Sequence, residues 1–304
     1  QVARIDAHSQ NKKGVARFCY AGTVLHAQAN NMLASRAPLH VGAELFGDSG
    51  SQADLEIVSL MVESLHSLGM PSVVIELGDV GIFRLLVQQL EIPSETEEKL
   101  FALIQKKAMV ELETCVQALD LDADHKQIML ELPGLCGNAE VLARAEGVFG
   151  GYPQIMQRLA SLGEVAQGIE SRFSGIQIYY DLSELRGYNY HTGIVFAAYL
   201  GEARRRVAQG GRYDSIGSVF GRDRGATGFD VDVKTLAKFS TITEAKRPVV
   251  IAEPGAGIDD LPRWEKIREL RTAGYIVLES GKETVPHDFS LNQYDGEWQL
   301  TKTH

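Results

Sequence analysis

Residues 180–199 read YDLSELRGYNYHTGIVFAAY, and a little further on residues 209–217 read QGGRYDSIG. The first stretch leaves a short strand with an acidic end, passes Arg186, Gly187, Tyr188, Tyr190 and His191 in quick succession, and enters an apolar run at Gly193. A fixed cation and several hydrogen-bonding rings are thereby set on a tight turn beside a sheet, since glycine permits backbone conformations that bulkier residues resist. That chemistry suits a small zwitterion. It equally suits a plain sheet edge, with Arg186 paired to Asp181 or Glu184 and the tyrosines serving as packing residues. In GGRYD, Gly210 and Gly211 allow positive φ or close backbone approach, while Arg212 and Asp214 can be no more than a local ion pair.

The flanks supply the sheet and its helices. GIQIYYD (175–181), GIVFAAYL (193–200) and ARRRVAQ (203–209) predict strands, and the last two lie close enough around Gly201 for an antiparallel hairpin. ATGFDVDVKTLAKF (226–239) predicts a strand or turn feeding a closing helix. Toward the N-terminus, QADLEIVSLMVESLHSL (52–68) places Leu55, Val58, Met61, Val62, Leu65 and Leu68 at helical spacing, with Gly69 as the stop. PSVVIEL (71–77) reads as a buried strand, and GDVGIFRLLVQQL returns to a helical period. From Ser94 a capping box, Ser94 to Glu97, opens further helices that run to about residue 170, so roughly 85–170 reads as a helical insertion. STITEAKRP (240–248) is linker-like and predicts a boundary near 245. Beyond it, VVIAEP, LPRWEKIRELRTAG and YIVLES predict strand, helix and strand, a small α/β unit over 246–304.

Composition narrows the function. With 304 residues, 44% hydrophobic and 23% charged, the chain can bury a substantial core. Thirty Lys plus Arg against forty Asp plus Glu leave a net charge of −10, which lacks the positive field that nucleic acid or an anionic membrane requires, so neither is expected as a partner. No run approaches the roughly 18 to 20 apolar residues of a membrane helix. The opening QVARIDAHSQ has no signal-peptide core either, and a cytoplasmic location is expected. Cys19, Cys115 and Cys136 are odd in number and far apart, which suits buried thiols in a reducing compartment rather than disulfides. The eight histidines include no HxxxH or HExxH pair, so no metal or cofactor is expected. Phosphate loops fail as well: Gly281-Lys282 is followed by Glu283 and Thr284, and Ile276 stands where a P-loop needs glycine. Neither GxGxxG between a strand and a helix nor GxSxG occurs. Gln1 is not a natural start, and a segment before it is expected.

RGYNYHTG, then GGRYD, then ATGFDVDVKTL resemble, in order and spacing, the histidine-specific signature and third motif of class II histidyl-tRNA synthetases, and the likeness runs from Gln1 to about Leu236. The resemblance implies an α+β class II synthetase-like core over 1–240, an antiparallel sheet flanked by helices, followed by the small C-terminal unit. It also implies a pocket for free histidine at Glu44 (in HVGAELFG), Arg186, Tyr190, His191 and Tyr213, with His40 where those enzymes usually carry glutamine. In that pocket Glu44 accepts from the ligand ammonium or imidazole, Arg186 takes the carboxylate, and His191 and Tyr213 line the imidazole end.

The ATP clamp does not carry over. In GTVLHAQA, Leu25 stands for the motif-two arginine and Ala27 for its glutamate, and Thr235 replaces the motif-three arginine. Losing one preorganised electrostatic contact costs about 10² to 10³ in rate, so losing several should abolish adenylation. IELGDVGIFRLL (75–86), LPGLCGNAEVLARA (132–145) and the leading QVARIDAH resemble instead the regulatory subunits of short-form ATP phosphoribosyltransferase, paralogues of the synthetases. That likeness implies a chain without catalysis of its own. Its partner would be the short catalytic subunit, which it activates in the first step of histidine biosynthesis, with L-histidine as the inhibitory effector. Self-association as a dimer is also implied, through a motif lying before Gln1. The alternatives are a histidine-activating synthetase relative with an atypical ATP site, and a scaffold with a vestigial pocket.

Overall fold

The β-branched and aromatic runs become strands and the 3.6-periodic runs become helices in the computed structural model, which describes residues 1–10, 13–25, 27, 36–70, 72–201, 205–242, 246–255, 260–279 and 285–303. The chain divides into two units, Gln1–Thr241 and Ile242–His304. The first begins with α1 (Val2–Ile5), β1 (Ala16–Thr23), β2 (Leu39–Phe46), α2 (Ser51–Ser67), β3 (Val73–Asp79) and α3 (Val80–Gln89). Then come α4 (Ser94–Gln105), α5 (Met109–Gln117), α6 (Ala123–Glu131), β4 (Cys136–Gly137), α7 (Glu140–Phe149) and α8 (Pro153–Arg172). The unit closes with β5 (Gln177–Asp181), β6 (Ile194–Leu200), β7 (Arg205–Arg212), β8 (Ala226–Asp232) and α9 (Val233–Leu236).

The strands form one sheet in the order β1-β2-β8-β7-β6-β3-β5-β4. The expected antiparallel sheet flanked by helices is present with one parallel pair in it, β3 with β5; every other pair is antiparallel. A parallel pair needs a long crossover, and the helices between β3 and β5 supply it. The hairpin expected from 193–209 is β6–β7, with residues 203 and 204 outside the described ones; likewise the strand expected from Pro71 is described from Val73.

Local chemistry explains the helix ends. In α2 the predicted apolar stripe, Leu55, Val58, Met61, Val62 and Leu65, is buried. At its end Gly69 (φ 65°) donates to the His66 carbonyl at 2.8 Å, and Met70 donates to Leu65 at 3.1 Å, a Schellman closure that favours glycine at the left-handed position. Asp79 caps α3 by accepting from the Gly81 amide at 2.7 Å. The Ser94 capping box does not form. Pro93 occupies the N-cap position in an extended conformation and its carbonyl accepts from Glu97 at 2.9 Å, so Ser94 already lies inside α4. Within the 85–170 stretch, α8 packs on α2, α3 and β3, while Ile104, Leu112, Met129 and Phe149 of α4 to α7 are fully buried in the same apolar core.

The second unit contains β9 (Val249–Ala252), α10 (Leu261–Thr272), β10 (Ile276–Leu278), β11 (Phe289–Tyr294) and β12 (Glu297–Lys302), with strand order β10-β9-β11-β12. Its core is Val250, Ile267, Leu270, Val277, Leu291 and Trp298. Beyond the expected strand, helix and strand it adds a hairpin, turned by Asp295 (φ 49°) and Gly296 (φ 84°), a pair of positive φ values that matches the twist of the flanking strands. Of the cysteines only Cys115 is buried; Cys19 is exposed on β1 and Cys136 is half-buried, which corrects the expectation of three buried thiols. Among the described residues no helix is long and apolar enough to cross a membrane.

Candidate functional site

The face of the sheet around β2, β8, β7 and β6 holds a cavity of about 420 Å³. Glu44 points into it from β2, directly opposite Gly228 of β8, where any Cβ would strike the carboxylate. At the end of β7 the Tyr213 amide donates to the Ala226 carbonyl at 2.8 Å, which fixes the ring so that its hydroxyl donates to Glu44 Oε2. The Tyr20 ring from β1 reaches the same wall because Gly42 leaves room for it. Tyr190 lies tilted on Tyr213 at 4.9 Å between centroids and edge-on to His191 at 5.2 Å. Gly187 (φ 67°) forms the turn beneath them: its carbonyl accepts from the His191 amide at 2.7 Å, and a Cβ there would lie 2.6 Å from His191 Cδ2.

Burial sets the electrostatics. It pushes the Glu44 carboxyl up to about 7, with the Tyr213 hydrogen bond opposing and the Asp230 charge adding to the rise. Burial lowers the pKa of His191, against a hydrogen bond to the Arg212 carbonyl, which lies 3.3 Å from Nδ1. This end of the cavity therefore offers a carboxyl near its midpoint at neutral pH, a neutral imidazole and the three phenols of Tyr20, Tyr190 and Tyr213, a set able to meet either protonation state of an imidazole.

Arg186 is at the other end. Its Nη2 bonds Glu76 of β3 and lies 2.8 Å from Glu184, and although burial opposes it, these partners raise the guanidinium pKa. Of the two local partners considered from sequence, Glu184 is the one that pairs; Asp181 binds Lys107 at 2.9 Å instead. Tyr188 is a packing residue, buried beneath Arg84 (4.4 Å to the ring) with its hydroxyl donating to Glu97 at 2.5 Å. His40 stands one layer back, with Nδ1 2.6 Å from Asp230, which itself lines the cavity. The structure thus brings Glu44, Arg186, Tyr190, His191 and Tyr213 to one cavity and holds His40 behind it.

Arg212 pairs with Asp214 at 3.1 Å, as its spacing suggested, and also with Asp54 at 3.0 Å, and it donates to the carbonyls of Asp48 and Gly50. Sequence reasoning missed Tyr20, Glu76, Glu184 and Asp230 as wall residues. Glu76 had a signal, an acidic residue between Ile75 and Leu77 inside an apolar run. At the positions matching the ATP clamp, Leu25 and Ala27 are exposed and uncharged, and the Thr235 hydroxyl donates to Asp232 at 2.7 Å.

A family model described as histidyl-tRNA synthetase matches residues 1–236. An ATP phosphoribosyltransferase regulatory subunit from Pseudomonas entomophila is 41% identical over 318 residues, covering 100% of this chain and 78% of that protein. The protein of the same description from Pseudomonas aeruginosa is 39% identical over 308 residues, covering 99% and 77%. Among solved structures, an ATP phosphoribosyltransferase regulatory subunit/histidyl-tRNA synthetase from Bacillus halodurans superposes with a TM-score of 0.75 at 25% identity, covering 91% of this chain and 71% of that one. An ATP phosphoribosyl transferase HisG:HisZ complex from Thermotoga maritima shares the fold, with a TM-score of 0.58 at 19% identity over 76% of this chain and 78% of that one.

Proposed function

The chain belongs to the ATP phosphoribosyltransferase regulatory subunits within the histidyl-tRNA synthetase family, a regulatory rather than a catalytic chain, and from that premise we propose that it binds and activates a short catalytic phosphoribosyltransferase subunit and receives free L-histidine in the cavity between Glu44 and Arg186. The observation that carries the reading is a cavity walled by Glu44, Arg186, Tyr190, His191 and Tyr213 in a chain whose clamp positions, Leu25, Ala27 and Thr235, hold no charge. An amino-acid site without ATP chemistry is a sensor. In this reading the chain acts at the first step of histidine biosynthesis, with the end product feeding back on it, and in the cytoplasm. Self-association as a dimer belongs to the same reading, and the net charge of −10 supports a role without nucleic acid.

Activation without chemistry requires tighter binding to the partner's active conformation, a coupling typically of about 1 to 3 kcal/mol, or about 5- to 150-fold. The test is co-purification with the catalytic subunit and initial velocities with and without this chain, with any segment preceding Gln1 restored. A rise in turnover is expected, and histidine should reverse it. An unchanged velocity at saturating partner overturns the proposal.

A further inference from the structure

Strands β6 and β7 lose register between Ala198 and Tyr199: Ala198 faces Ala208, yet Tyr199 faces Arg206, and Val207 has no opposite number. A bulge of this kind reverses the side-chain alternation beyond it and often re-aims a residue beside a site. Ala197 and Gln209 face each other and both line the cavity. Simple alternation from Gln209 would turn Val207 to that face and Arg206 away. The bulge does the opposite: Val207 is buried, and Arg206 stands exposed opposite Tyr199, two residues beyond Ala197.

Tyr199 ties this position to the cavity. Its hydroxyl donates to Glu76 at 3.4 Å, and the Arg186 guanidinium carbon lies 6.0 Å from its ring centre. Arg206 therefore stands beside the Arg186, Glu76 and Glu184 cluster, but its state is different. Arg186 is held by two carboxylates, whereas Arg206 has no hydrogen-bond or ion-pair partner among the described residues. Partial desolvation and the neighbouring Arg186 charge lower its pKa, against the opposing influence of Tyr199, Glu184 and Glu76.

We propose that Arg206 forms an anion subsite at the β6–β7 edge of the cavity and takes the carboxylate of an amino acid whose ring lies toward Glu44 and Tyr213. The proposal rests on the reading of the cavity as a histidine site and reassigns part of the carboxylate recognition expected of Arg186. A carboxylate approaching Arg186 alone meets Glu76 and Glu184, two like charges already sharing that guanidinium. Arg206 supplies the additional cation, with a planar fork matched to a carboxylate.

Calorimetry of the full chain with histidine and with histidinol, which lacks the carboxylate, provides the test on the parent, Arg206→Gln and Arg206→Lys. The Gln variant is expected to bind histidine about ten- to a hundredfold more weakly, as for loss of a charged hydrogen bond, with histidinol unchanged and the Lys variant intermediate. Thermal unfolding should shift little, because the parent side chain has no hydrogen bond or ion pair to lose among the described residues. Equal histidine affinity in the parent and Arg206→Gln overturns the subsite, and so does an equal loss of histidine and histidinol. A parent that binds no histidine at all overturns the reading of the cavity itself, a distinguishable result.

Discussion

Tyr213 donates its hydroxyl to Glu44 at the inner end of the cavity, across 169 residues of chain. The bond stabilises the ionised carboxyl, yet burial outweighs it and leaves Glu44 titrating at about 7. One proton is thus poised between a carboxyl and whatever nitrogen arrives, which is what discrimination of an imidazole from an alkyl side chain requires.

Glu44 should leave a mark on stability. Its carboxyl rises on folding from 4.5 to about 7, so between those values the folded chain binds more protons than the unfolded one. Stability should therefore fall as pH rises through this window, by up to about 3 kcal/mol from this group. Urea unfolding of Glu44→Gln across pH 4.5 to 7.5 should show a flatter profile than the parent; identical slopes would place the carboxyl in a more solvated setting.

Arg212 should matter for folding and little for selectivity. Replacing it with alanine removes its bonds to Asp54 and Asp214 and strands Asp54, which is 2% exposed, so a loss of about 3 to 5 kcal/mol is expected. The preference for histidine over histidinol should survive. A collapse of that preference at unchanged stability would assign Arg212 to the ligand.

Gly187→Ala combines a positive φ with a Cβ 2.6 Å from the His191 ring. The backbone strain alone is about 1 kcal/mol, and His191 must shift to make room. Unfolding should move by at least that amount and histidine binding should weaken with it; wild-type behaviour in both assays would show that the turn tolerates a side chain.

Histidine-dependent ATP–pyrophosphate exchange should be absent from the purified chain, since Leu25, Ala27 and Thr235 occupy the clamp positions. Exchange above a blank without protein would restore the synthetase alternative and remove the sensor reading.

The sequence alone determined the order of elements and the turn that carries the cavity, because both follow from short-range physics. The stripe of α2, its stop at Gly69, the β6–β7 hairpin and the RGYNYHTG turn depend on residues a few positions apart. The Asp295-Gly296 turn of the second unit is equally a matter of local turn chemistry. Pairings across the chain were decided only by the tertiary structure. Arg186 meets Glu76 across 110 residues because β3 lies beside β6 in the sheet, and β3 runs parallel to β5 because a long helical crossover joins them. Arg206 comes to stand opposite Tyr199 through one bulged residue that no periodicity announces. Whether a charge is paired, buried or left open depends on which strands become neighbours, and burying one face of a common core settles that.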